Sequence, residues 1–188
     1  MRTRLISVLL AVLGALALGA GTPTAATSVL SGWSISPGGI FSGTGGSVDA
    51  PITCTGTDIS GTFATGGTTL GVISRINYRN CRSSSALTLS ITPRLPWSMY
   101  GLTHTNGVTT LEIRNVAANI TGPGCNLAVT GKVTATYNNS TGILSILDHD
   151  TVVSQGSNCP GVAAPGDTIA LLSRSYTISP RHIITPVP

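Results

Sequence analysis

Residues 122–147 read GPGCNLAVTGKVTATYNNSTGILSIL, with apolar or small side chains at the odd positions Leu127, Val129, Val133, Ala135 and Tyr137. Thr130, Lys132, Thr134 and Thr136 face the other way. A period of two marks a strand with one dry and one wet face. A helix needs spacings of three and four, and does not tolerate this density of threonine and glycine. The alternation returns at Leu70, Val72, Ile76 and Tyr78, set against Arg75, Asn77 and Arg79. It returns again at Leu87, Leu89 and Ile91, set against Thr88, Ser90 and Thr92. Strands wet on one side predict antiparallel sheets.

The punctuation agrees. Asn106-Gly107 separates MYGLTHT from VTTLEIR, and Asn-Gly is the strongest short hairpin signal because both residues accept positive φ. Residues 138–142 join Tyr137 to Ile143 and make the first stretch a second hairpin. The glycine-rich segment 37–46 and Gly66-Gly67 read as loops or bends. This spacing predicts an all-β fold, an antiparallel β-sandwich or flattened β-barrel of roughly ten strands. No segment beyond residue 26 shows a convincing helix pattern. WSISPGG (33–39) is echoed by YTISPRH (176–182). These two strands are expected to pair with each other and close the sheet, each proline ending its strand at an edge.

The first residues bear on compartment. Arg2 and Arg4 precede the apolar run LISVLLAVLGALALGA (5–20), and Thr24-Ala25-Ala26 fits a small-x-Ala cleavage site. Residues 1–26 are therefore predicted to be a signal peptide, and 27–188 a single secreted domain. The run is shorter than the roughly 20 residues that span a bilayer, so no membrane attachment is expected after cleavage. Without 1–26, 162 residues remain, and losing Arg2 and Arg4 lowers the formal charge from +4 to +2. Charged residues are only 9% of the chain, far below the usual quarter or so. Serine, threonine, asparagine and glycine must therefore cover the surface. Such a small positive excess, with 4% aromatic residues, argues against a nucleic-acid groove.

Cys54, Cys81, Cys125 and Cys159 in an exported chain predict two disulfides, with three connectivities open. Cys54–Cys81 and Cys125–Cys159 are favoured because each closes a local segment. A thiolate metal site needs close cysteine pairs and no C-x-x-C occurs, so no metal or cofactor is expected.

Candidate chemistry is sparse. Asp148-His149-Asp150 reads as a turn or loop after Leu147. As a small hydrolase it would use His149 as base with Asp148 or Asp150. Neighbours on a strand point to opposite faces, so only the two carboxylates converge, and no G-x-S-x-G elbow is present. Glu112 is the only glutamate, which does not supply the pair a glycosidase uses; beside Arg114 it reads as a solvated or ion-paired surface residue. Arg75, Arg79 and Arg82 form the one basic cluster. Arg75 and Arg79 share a strand face roughly 13 Å apart and could meet an anionic cell-wall polymer. In LPWSMYG (95–101), Trp97 and Tyr100 would form a stacking platform for a glycan or an apolar ligand if exposed. If Trp97 and Met99 turn inward together, they are core. Asn119-Ile120-Thr121 and Asn139-Ser140-Thr141 match the glycosylation sequon, meaningful only in a host with that machinery.

Taken in order, ITCTGTDISGT, INYRNC, LPWSMYG, NITGPGC, VTATYNNSTGILSI and SYTISP resemble a group of exported proteins from high-GC Gram-positive bacteria. The resemblance covers nearly the whole chain after residue 26. The group has no known activity, so it implies export and cysteine pairing in chain order, and supplies no catalytic residue. The resulting expectation is a secreted, non-enzymatic binding or structural module, extracellular or wall-associated. A small hydrolase and an apolar-ligand carrier are the alternatives.

Overall fold

A computed structural model describes residues 31–48 and 51–188; the expected signal peptide, 1–26, lies outside the described residues. The chain forms β1 (Gly32–Ser36), β2 (Gly39–Gly45), β3 (Ile52–Thr53), β4 (Gly56–Phe63), β5 (Thr69–Arg79), β6 (Cys81–Ser83) and β7 (Thr88–Pro93). There follow β8 (Trp97–Thr105), β9 (Val108–Gly122), β10 (Cys125–Asn138), β11 (Ile143–Val153), β12 (Ser175–Ser179) and β13 (Ile183–Val187). No helix occurs among the described residues. Eight strands close an antiparallel barrel in the order β9, β10, β11, β12, β2, β4, β5, β8 and back to β9. The strand β9 is long enough to leave β8 halfway and take up β7, which carries β6 and β3. Both expected hairpins, at Asn106-Gly107 and at 138–142, are present.

The barrel is solid. Trp97, Tyr137, Tyr176, Phe41, Ile59, Ile73, Met99, Leu111 and Ile113 are all less than 2% exposed or at that limit. Large side chains on some strands are matched by glycines on their neighbours. A Cβ on Gly43 would sit 2.7 Å from Ile178 and 2.9 Å from Ile59, and one on Gly45 would sit 2.5 Å from the Tyr176 ring. This corrects the expectation of a loop over 37–46: residues 39–45 are a strand of the barrel wall. Their glycines answer to close approach across the sheet rather than to a turn.

Bulges shift the side-chain parity at several places, three of which change the reading of the sequence. Ser74 is the extra residue in β5 against β4, so Ile73 faces inward and Val72 outward. The alternation of Leu70, Val72, Ile76 and Tyr78 therefore does not lie on one face. In β9 the extra residue falls at Arg114–Asn115, where Asn115 has φ 59°; the strand turns here from β8 toward β7. In β11 it is Leu147.

The ends of the barrel are both covered. At one end, β1 and β13 form an antiparallel ribbon that packs Trp33, Ile35 and Ile184 into the opening. The indole of Trp33 lies against Gly101, where an added Cβ would come within 2.1 Å of it. His182, fully buried, meets Phe63 edge-on, with ring centroids 4.6 Å apart. Its main chain is pinned by Tyr137, whose hydroxyl donates to the His182 carbonyl at 3.0 Å and accepts from its N–H at 2.9 Å. At the opposite end, Ile169, Leu171 and Leu172 fold inward. Tyr78 donates to the Leu171 carbonyl at 2.9 Å. The Tyr176 hydroxyl bonds Thr57 at 2.8 Å and accepts from Ser173 N–H at 3.0 Å. Burial pushes the Tyr176 phenol up to about 12 and the Tyr78 phenol up as well, so both act as neutral pins.

The echoed strands do not pair with each other, which corrects that expectation. Each proline does end its strand, at Ser36 and Ser179. But β1 pairs with β13, the strand after the second corner, and β12 pairs with β2, the strand after the first. The two corners are crossed, each one's first strand bonded to the other's second. Two strands rich in apolar side chains both find cover this way, one in the barrel wall and one across its mouth.

Both disulfides form as favoured, Cys54–Cys81 and Cys125–Cys159. They tie the chain at Cys54 to β6 and the start of β10 to the 154–173 segment, and the same continuous apolar core takes in Val48, Ile52, Leu89, Ile120 and Leu127 there.

Candidate functional site: the outer wall of the barrel

With the lumen filled, polar chemistry lies outside. On the wall made by β2, β4 and β5, a shallow groove of about 180 Å³ is lined by Ser42, Asp58, Ser60, Arg75 and Asn77. The register that brings them together pairs Ser60 with Arg75 and Asp58 with Asn77, and Ser42 with Ser60 from the other side. Arg75 is exposed and forms no ion pair among the described residues. Its guanidinium therefore has its donors free, flanked by two hydroxyls, an amide and the Asp58 carboxylate, which is itself bonded to Arg79. Arg79 shares this face, as expected, but its Nη1 is bonded to the Asp58 carboxylate, and its guanidinium lies over Gly56. Arg82 is exposed on β6, beyond the turn at Asn80 and outside the barrel wall. The three arginines thus differ in kind, and only Arg75 presents an unpaired charge in a groove.

Trp97 and Tyr100 separate. Trp97 is 0% exposed, and its indole N–H donates to the Arg94 carbonyl at 3.0 Å; with Met99 it is core. Tyr100 points outward, and the Arg114 guanidinium stacks on its ring, 4.2 Å from the centroid. The two aromatic side chains therefore do not form one platform.

Arg114 belongs to a second charged group. It bonds Glu112, and Lys132 Nζ lies 2.9 Å from the other Glu112 oxygen, so Glu112 is ion-paired rather than merely solvated. The hydrogen bond from Lys132, then that from Arg114, holds the Glu112 carboxyl below its usual range. A lowered folded value contributes stability that is present above the unfolded pKa and lost as pH falls through the folded one. Lys132→Ala is expected to move the Glu112 titration upward, read by NMR of the carboxyl carbon. Unfolding free energy should change little, because Lys132 and Arg114 are half-exposed and water screens the pair.

Asp148, His149 and Asp150 lie on β11 rather than in a loop, which corrects that expectation. Alternation resumes after the Leu147 bulge: Asp148 and Asp150 are exposed, while His149 is half-buried on the inner side with Thr151 and Val153. Asp148 Oδ1 accepts the main-chain N–H of His149 at 2.8 Å, not its ring. Burial holds the imidazole below its usual range, against a weaker opposing pull from Asp148. The ring Nδ1 is buried without a partner. A hydrolytic pair needs a ring-to-carboxylate bond with the other ring nitrogen open to substrate, and this trio does not supply that bond.

Sequence reasoning marked Arg75 but missed Ser42, Asp58, Ser60 and Asn77 as its neighbours. Ser42 and Ser60 meet through the pairing of β2 with β4, and Ser60 meets Arg75 through that of β4 with β5, which alternation within one strand does not reveal. No group of three metal-ligating side chains is found among the described residues. Comparison with family models, with curated proteins and with solved structures finds no match for this chain.

Proposed function

We propose that this chain is a secreted, non-enzymatic module that binds an anionic extracellular polymer or glycan on its outer wall, at the groove around Arg75. The observation that carries the reading is a barrel packed with its own side chains and stopped at both ends. A ligand must then be met from outside, and Arg75 is an unpaired cation in a groove of hydroxyls and an amide whose one carboxylate, Asp58, is already paired with Arg79. The same packing argues against an apolar-ligand carrier. Two disulfides are consistent with an extracellular setting.

Fractionation of producing cells tests this. The protein should co-sediment with wall material and be released by salt, since exposed charge pairing is screened. Arg75→Ala should weaken retention about fivefold or more, as expected for loss of a charge-assisted hydrogen bond. Arg79→Ala should do less, because Asp58 already neutralises that charge. Protein found free in the medium, or retention indifferent to Arg75→Ala, would discard the reading.

A further inference from the structure

The ribbon-covered end of the barrel carries a second cleft, about 460 Å³, remote from the groove at Arg75. Its walls are the hairpin turn at Asn106-Gly107, the turn of residues 138–140, and the corner leading into β13 at Arg181 and Ile183. Two polar side chains there, Asn138 and Arg181, are held by their acceptor or by one donor and keep other donors unpartnered, while Asn139 and Ser140 spend theirs within the protein.

Asn138 uses its Oδ1 entirely on its own turn, accepting Ser140 N–H at 2.9 Å, Ser140 Oγ at 2.7 Å and Thr141 N–H at 3.3 Å. That fixes the orientation of the amide and leaves its Nδ2 hydrogens without a partner among the described residues. Arg181 donates from Nη1 to the Ser140 carbonyl at 2.8 Å, leaving Nε and Nη2 free. The stem of Arg181 rests over Gly142, where an added Cβ would lie 3.2 Å from its Cγ. The cleft is also rigid. Asn139 N–H donates to the Gly107 carbonyl at 2.9 Å and its side chain grips Ile184, so both turns and the β13 corner move as one body.

No carboxylate lines this cleft. An anchored guanidinium with two parallel donors free suits a carboxylate in bidentate geometry. Asparagine amides at the rim suit hydroxyls, and Ile183, 43% exposed, offers a flat apolar wall to ring C–H groups. A volume of this size falls within the usual range for small-ligand sites, roughly 300–1,000 Å³. From this convergence we infer that the cleft is a binding site for a carboxylated sugar, with the carboxylate on Arg181 and ring hydroxyls on Asn138 and Asn106.

The test is a titration of the isotope-labelled protein followed by NMR at the Asn138 side-chain amide and the Arg181 Nε–H. Sodium glucuronate should shift both signals saturably, and glucose at equal concentration should not. A glucuronate-terminated oligosaccharide that binds more tightly than the monosaccharide would assign a polymer as the source; equal affinity would assign the free sugar acid. Arg181→Gln should weaken glucuronate binding at least tenfold, whereas Arg75→Ala should leave it unchanged, which keeps this site separate from the outer-wall groove. Absence of a saturable shift in the unaltered protein, an equal response to glucose, or undiminished binding by Arg181→Gln would overturn the inference. The first two outcomes do not depend on the variant folding.

Discussion

Trp97→Ala is expected to lower the free energy of unfolding by about 3–5 kcal/mol, the largest effect of any single truncation in this chain. Trp97 is the largest of the fully buried side chains. It stands on β8 opposite Ile73 of β5, and Met99, two residues on, is likewise buried. The loss has two sources. One is the transfer of indole surface out of water. The other is the void left behind, which closed strands on every side cannot collapse to fill. The freed Arg94 carbonyl adds little, since Arg94 is exposed and water can replace the indole N–H. Urea denaturation should show a lower midpoint with an unchanged slope. A change below about 1 kcal/mol would mean that Trp97 is not packed as described.

The second large effect is expected at Asn139. Its side chain behaves as a piece of backbone: Nδ2 donates to the Ile184 carbonyl at 2.8 Å, and Oδ1 accepts the Ile184 N–H at 2.9 Å. Asn139 is 9% exposed and Ile184 is fully buried, so alanine would leave a buried donor and a buried acceptor unmet. Each such group costs about 1–3 kcal/mol, so the two together cost about 2–6 kcal/mol. Asn139→Asp is the sharper probe. It keeps the acceptor but sets a carboxylate oxygen against the Ile184 carbonyl, so it should also destabilise strongly at neutral pH. Denaturant unfolding of both variants checks this; a neutral Asn139→Asp would show that the bidentate bond is not formed. The same bond takes up the amide nitrogen that the Asn139-Ser140-Thr141 sequon would need to present, so the folded protein does not offer it for glycosylation.

Period-two alternation located the long strands because each has one face on the filled lumen and one in water. The hairpins were legible from Asn-Gly and from NNSTG, whose turn chemistry is local. The disulfides were legible because each links segments close in the chain. Other features depend on partners distant in sequence. Gly43 and Gly45 look like loop residues until Ile178, Ile59 and Tyr176 are set beside them. The bulges at Ser74 and Leu147 leave no mark in composition, yet one turns Val72 outward and the other decides which face His149 occupies. The echo of WSISPGG in YTISPRH was a true signal of related corners, but like strands were expected to pair when each in fact pairs with the other's continuation. The site suffers most from this distance. Arg75 stood out by charge; its hydroxyl neighbours and the donors around Arg181 come from turns and strands far apart in the chain.

The crossed corners bear on the order of assembly. Because β2 waits for β12 and β1 waits for β13, a nascent chain lacking residues 175–188 holds an open sheet with bare edges on β2 and β11 and an uncovered mouth. Neither the wall nor its stopper can be completed until the final segment has been synthesised. Premature termination before residue 175 therefore yields a species with unpaired strands, primed to add to its neighbours or to be cleared by proteases rather than to persist as a smaller working domain.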